Sequence, residues 1–143
     1  MKTSIPASDQ LSELKPQIER SPFLVACLCA AWCDTCKNYR TTFDALRTKH
    51  PEKCFVWIDI EDQASLLDDL DIENFPSLLI QYQDKILFLG TMLPDVQLLD
   101  RLLQTISDDV KTNTADHITP KIQNSALDII KKWNLRSEIL RQK

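Results

Sequence analysis

Two cysteines in Trp32-Cys33-Asp34-Thr35-Cys36 stand where a buried strand gives way to a helix, and this junction limits the folds open to the chain. Upstream lies Phe23-Leu24-Val25-Ala26-Cys27-Leu28-Cys29-Ala30-Ala31, an almost unbroken apolar run of the kind found in a strand covered on both faces. Downstream, Tyr39, Phe43 and Leu46 share one helical face and predict a helix over 33–49, ended by His50-Pro51. A Cys-x-x-Cys at such a junction is placed for redox chemistry. Cys33 falls at the helix N-terminus, where free N–H groups and the helix dipole favour a thiolate. Cys36 follows one turn later on the same side, close enough to close a disulfide with it. Cys33 would attack a substrate disulfide, and Cys36 would resolve the mixed disulfide.

A zinc site is the competing use of such a pair, and it wants four ligands, usually in two short-spaced pairs. Cys27, Cys29, Cys33 and Cys36 have an awkward spacing for one ion, so no metal is expected. Cys27 and Cys29 point to the same face of one strand. They read either as small buried hydrophobes or, for Cys27, as a third thiol beneath the pair. Cys54 reads as a buried strand residue. His50 and His117 have no evident catalytic partner.

Residues 22–106 resemble a thioredoxin-family domain. Phe23–Lys37 is similar to the family's strand, Trp-Cys-x-x-Cys-Lys motif and helix start. Ile72-Glu73-Asn74-Phe75-Pro76-Ser77-Leu78-Leu79 resembles its Ile-x-x-Ile/Val-Pro-Thr-Leu segment, and Gly90 falls where the family ends its last strand with glycine. The resemblance implies a thiol–disulfide oxidoreductase that reduces protein disulfides, with Cys33 as nucleophile and Cys36 as resolving thiol. It implies no cofactor beyond the Cys33–Cys36 disulfide, a cis Pro76, and a substrate groove shaped by Trp32, Phe75 and Pro76. Partners would be a protein disulfide substrate and a reductase or small thiol as electron donor.

Departures from the family pattern matter as much. Asp34-Thr35 replaces the common Gly-Pro, and the Asp34 carboxylate beside Cys33 disfavours its thiolate, making the pair more reducing. The family's buried Asp and its Lys partner align with Cys27 and Trp57, so both ionisable groups are gone. Deprotonation of Cys36 then falls to water or another group, with Asp59 and Glu61 nearest in sequence, and resolution is expected to be slow. The alternative function is a binding module on the same fold, with little turnover and a C-terminal tail that recruits a partner.

Composition narrows the classes further. A net charge of −4 gives no general nucleic-acid footprint, and no apolar run reaches membrane-span length. The first ten residues lack the apolar core of a signal peptide, and five cysteines, an odd count, fit a reducing compartment, so a cytoplasmic location is expected.

In chain order, the pattern predicts a helix over 9–20 with Pro16 kinking or shortening it, then strand 23–30 and helix 33–49. Strand 54–60 follows, then a short helix from Asp62 carrying Leu66, Leu67 and Leu70, a hairpin of strands 77–82 and 86–90, and a helix from Pro94 to about Ser107. The expected fold class is α/β, thioredoxin-like: a mixed four-stranded sheet with helices on both faces. Three parts are expected: a domain over 1–107, a polar linker over 108–118, and a helical extension over 119–143. The extension starts at Thr119-Pro120 and carries Leu135, Ile139 and Leu140 on a second short helix. It would cover its own domain, or else bind a partner or a second copy.

Overall fold

A computed structural model of the chain describes residues 11–30, 32–61, 76–83, 85–91, 95–112, 121–122 and 134–141. The elements are α1 (Leu11–Arg20), β1 (Phe23–Cys29), α2 (Asp34–Leu46), β2 (Cys54–Asp59), β3 (Ser77–Tyr82), β4 (Lys85–Thr91), α3 (Val96–Thr112), β5 (Lys121–Ile122) and α4 (Leu135–Arg141). They form one mixed sheet in the order β2-β1-β3-β4-β5. β1 runs parallel to β2 and antiparallel to β3, and β3 and β4 form the expected hairpin. Gln83, at the turn, adopts a left-handed φ of 52°.

Every residue of β1 is buried, because alternate side chains feed two different cores. Leu24, Ala26 and Leu28 pack with Ile18 of α1 and with Leu135 and Ile139 of α4. Val25, Cys27 and Cys29 pack on the opposite face with Tyr39 and Phe43 of α2 and Leu99 and Leu103 of α3. The apolar run therefore predicts its own surroundings: a strand without a polar face has to be covered on both faces of the sheet.

Two expectations are corrected. The described sheet has five strands, not four, because Lys121 and Ile122 pair in parallel with Phe88 and Leu89 of β4. The open edge of β4 offers unpaired N–H and C=O groups, and pairing them overrides the helix start read at Thr119-Pro120. α3 runs on to Thr112, into the stretch expected to be linker. Its apolar stripe of Leu99, Leu103 and Ile106 continues to Val110, which packs against the same core. Pro16 lies inside α1, which reaches Arg20, the end expected for this helix. The expected helix from Asp62 and the middle of the C-terminal extension, 123–133, lie outside the described residues.

α4 is fastened by a buried amide. Gln81, fully buried on β3, donates to the Gln83 carbonyl at 2.7 Å and to Asn134 Oδ1 at 2.9 Å, and its Oε1 accepts the Arg136 N–H at 3.2 Å. Asn134 Oδ1 also accepts the Ser137 N–H at 2.9 Å, which caps the first turn of α4. Gln81→Leu strands these groups and is expected to cost about 1–3 kcal/mol. Urea midpoints, with faster tryptic cleavage in the C-terminal tail, check this.

A second long-range tie joins the end of α2 to α3. His50 is buried, stacks on Phe55, and its Nε2 lies 2.6 Å from Asp100 Oδ1. The hydrogen bond from His50 holds the Asp100 carboxyl below its ordinary value, against the opposing effect of desolvation. A carboxyl depressed in the folded state stabilises the fold above its unfolded pKa of about 4, and that contribution disappears as pH falls through the folded value. Asp100→Asn is therefore expected to flatten the acid limb of stability against pH below about 4. Denaturant midpoints of both proteins between neutral and acid pH measure it.

Candidate active site

Cys33 is the N-cap of α2, with φ −88° and ψ 116°. Its N–H donates to the Ala30 carbonyl at 3.0 Å, and its carbonyl accepts the Lys37 N–H at 3.1 Å. Its side chain makes no cap hydrogen bond and is partly exposed. This is the position expected for Cys33, at the N-terminal mouth of the helix. Trp32, beside it, is 63% exposed, as suits a contact surface rather than core. Asp34 and Thr35 are exposed too. Asp34 lies 3.8 Å from Lys37 Nζ, an exposed ion pair one turn apart on the helix.

Cys36 points inward and is almost fully buried, as expected for the second thiol. Its bond partner differs from the expectation. Cys36 is disulfide-bonded to Cys29, with Cα atoms 5.9 Å apart, and Cys33 is free. The physical reason lies in the strand. Cys29 is the last residue of β1 and faces α2, directly beneath the first turn that carries Cys36. The Cys29 position was legible in the alternation that puts Cys27 and Cys29 on one face, but the spacing of Cys33 and Cys36 drew the pairing to them.

Cys27 completes a row of sulfurs. Its Sγ is 3.6 Å from Cys29 Sγ, and burial pushes its thiol far above the ordinary range, with the Arg40 guanidinium acting in the opposite direction. Cys27 lies opposite Trp57 in the β1–β2 register. The two positions where the family resemblance calls for a carboxylate and an ammonium are thus side by side, filled by a thiol and an indole. Arg40 covers the Trp57 ring at 4.8 Å. Asp59 is the register partner of Cys29, whereas Glu61 is exposed beyond the strand. The Tyr39 hydroxyl is buried in the same core without a hydrogen-bond partner among the described residues. Cys54 is apart from this row, buried on the other face, with its thiol pushed up to about 11 by burial.

Pro76 is buried at the entry to β3, adjacent to the Ser77–Leu28 register pair. Phe75, and with it the expected cis peptide, lies outside the described residues. Among the described residues, no group of three or more His, Cys, Asp or Glu side chains is placed to hold a metal ion.

Comparison with known proteins agrees with the fold. The thioredoxin family model matches residues 8–108. Thioredoxin H-type 2 of Nicotiana tabacum is 23% identical over 106 residues, covering 74% of this chain and 80% of that protein. Putative thioredoxin H10 of Arabidopsis thaliana is 25% identical over 92 residues, 64% of this chain, and the match spans only 52% of that relative. Thioredoxin from Trypanosoma brucei brucei superposes with a TM-score of 0.59 at 18% identity, covering 74% of this chain and 93% of that structure. The family model spans well over half of the sequence, and the chain belongs to the thioredoxin family.

Proposed function

We propose that the chain is a thiol–disulfide oxidoreductase that reduces protein disulfides, with Cys33 as the attacking thiol and Cys36 as the resolving thiol. The observation that carries this is Cys33 at the partly exposed N-terminus of α2, beside exposed Trp32, with Cys36 one turn inward. The Cys33 thiolate attacks one sulfur of the substrate disulfide, and the other leaves as a thiolate. Cys36, once freed from Cys29, attacks Cys33, and the substrate departs reduced. The electrons come from a reductase or a small thiol, in the cytoplasm. An extended substrate lies against Trp32 and the Phe75-Pro76 segment by strand addition. The thiol at Cys27 and the indole at Trp57 move no proton for Cys36, so resolution of the mixed disulfide is slow.

Reduction of insulin by the full chain with dithiothreitol tests this reading. Acceleration over dithiothreitol alone is expected, and no acceleration overturns it. A second reading, a binding module with little turnover, draws on the closure of Cys36 onto Cys29, which removes the resolving thiol from Cys33. Against its partner-recruiting tail stands α4, whose Leu135 and Ile139 already face the chain's own core.

Asp34 tunes the pair. Its negative charge beside the dithiol makes the pair more reducing, and its exposure and the neighbouring Lys37 limit the size of the effect. Asp34→Gly is expected to raise the Cys33–Cys36 potential by roughly 10–20 mV, equivalent to under about 1 kcal/mol. Equilibration in graded glutathione buffers measures it, and an unchanged or lowered potential contradicts it.

A further inference from the structure

We propose that Cys29 is a third redox thiol of this site, and that Cys36 exchanges partners between Cys33 at the surface and Cys29 in the core. The proposal rests on the reading of Cys33 as the attacking thiol. It follows from the reach of Cys36 in two directions. Cys36 is bonded to Cys29 across a Cα separation of 5.9 Å. Cys33 is one helical turn away from Cys36 on the other side, a separation that a disulfide also spans. Cys36 is therefore the middle sulfur of three, with a partly exposed thiol on one side and a buried one on the other.

The exchange is balanced within the chain. After a substrate has been reduced, the bond is between Cys33 and Cys36. The Cys29 sulfur attacks Cys36, the Cys29–Cys36 bond forms, and the Cys33–Cys36 bond breaks. Cys33 leaves as a thiolate, and in net terms the proton passes from Cys29 to Cys33. No electrons enter or leave, so no further oxidant or reductant is needed.

Cys27 supports the inner position. Its Sγ is 3.6 Å from Cys29 Sγ, and burial keeps it protonated, so its S–H is placed to donate to the Cys29 sulfur while that sulfur carries charge. This makes Cys27 a positioning residue for Cys29.

The consequence is a second activity at the surface. In the Cys29–Cys36 state the two oxidising equivalents are stored in the core, and Cys33 is a free thiol without its resolving partner. It then attacks a disulfide such as glutathione disulfide, forms the mixed disulfide with one glutathione, and releases the other as a thiol. Without Cys36 that mixed disulfide persists, so the inner bond converts a reductase into a protein that captures disulfides.

Disulfide mapping of the full chain tests this without mutation. The reduced protein is oxidised with diamide, alkylated under native conditions, denatured and mapped by peptide mass spectrometry. Both Cys33–Cys36 and Cys29–Cys36 bonds are expected, in a ratio that is the same for fresh and stored oxidised protein. Every oxidised molecule retains three free thiols of its five cysteines, and Cys33 is alkylated only in the fraction with the inner bond. That fraction alone takes up glutathione from glutathione disulfide, and Cys29→Ala abolishes it. Either bond found alone overturns the exchange. Insulin reduction by the same preparation separates the two failures: activity with only the Cys33–Cys36 bond leaves the oxidoreductase reading standing, and inactivity with only the Cys29–Cys36 bond removes both.

Discussion

Cys33→Ser is expected to lower insulin-disulfide reduction by roughly a thousandfold or more, to the dithiothreitol background. The hydroxyl is close in shape to the thiol but stays protonated at neutral pH and has no sulfur to offer, so no mixed disulfide forms. The same substitution is expected to stabilise the fold. Cys33 occupies the N-cap of α2 without a side-chain cap bond, a position where serine is among the preferred residues. A gain of about 0.5–1 kcal/mol in denaturant titration should accompany the loss of activity. Activity that survives in this variant would move the attacking thiol elsewhere. Lost activity with an unfolded protein would contradict the position of Cys33 outside the core.

Phe43→Ala is the largest expected loss of stability. Phe43 is fully buried, and its ring centroid is 5.2 Å from Phe55, 5.7 Å from Trp57 and 6.2 Å from Tyr39. With Cys36, Tyr39 and Leu46 it is one of four buried side chains that α2 turns toward the sheet. Removing the ring takes away its transfer free energy and leaves a cavity that the packed core around it cannot close, a cost of about 3–5 kcal/mol. Against a total of about 5–15 kcal/mol for an ordinary domain, that is a large part of the stability. Urea midpoints measure the cost, and Phe43→Leu, which refills most of the volume, is expected to lose less than half as much. A loss under about 1 kcal/mol for Phe43→Ala would mean that α2 is held by something else.

What the sequence displayed was the local part. The apolar run of β1, the stripe of Tyr39, Phe43 and Leu46 and the cysteine at the helix mouth each declare themselves within one element, and each stands where periodicity puts it. Interactions between distant positions are where the reading failed. The Cys29–Cys36 bond depends on how far α2 lies across the end of β1, which no spacing rule contains. The pairing of Ile122 with β4 depends on an edge left open elsewhere. Gln81 reads as a polar residue on a strand, and His50 as a helix-ending residue before proline. Their partners, Asn134 and Asp100, are 53 and 50 positions away. The α3 boundary was misjudged for a simpler reason: Val110 continues the apolar stripe amid acidic neighbours that mask it.

The meeting of α1 and α4 has a consequence for biosynthesis. Ile18 lies in one apolar cluster with Leu135 and Ile139, and Arg136 donates to the Ile18 carbonyl across 118 positions. Contacts between positions so far apart in sequence form late in folding. During translation the α2 and α3 face of the sheet can assemble while α4 is still inside the ribosome. On the other face, Leu24, Val56 and Leu79 lack the cover of Leu135 and Ile139 until α4 emerges. A nascent chain is therefore incompletely covered on that face until α4 emerges, and in that interval it presents apolar sheet surface to whatever binds unfolded chains.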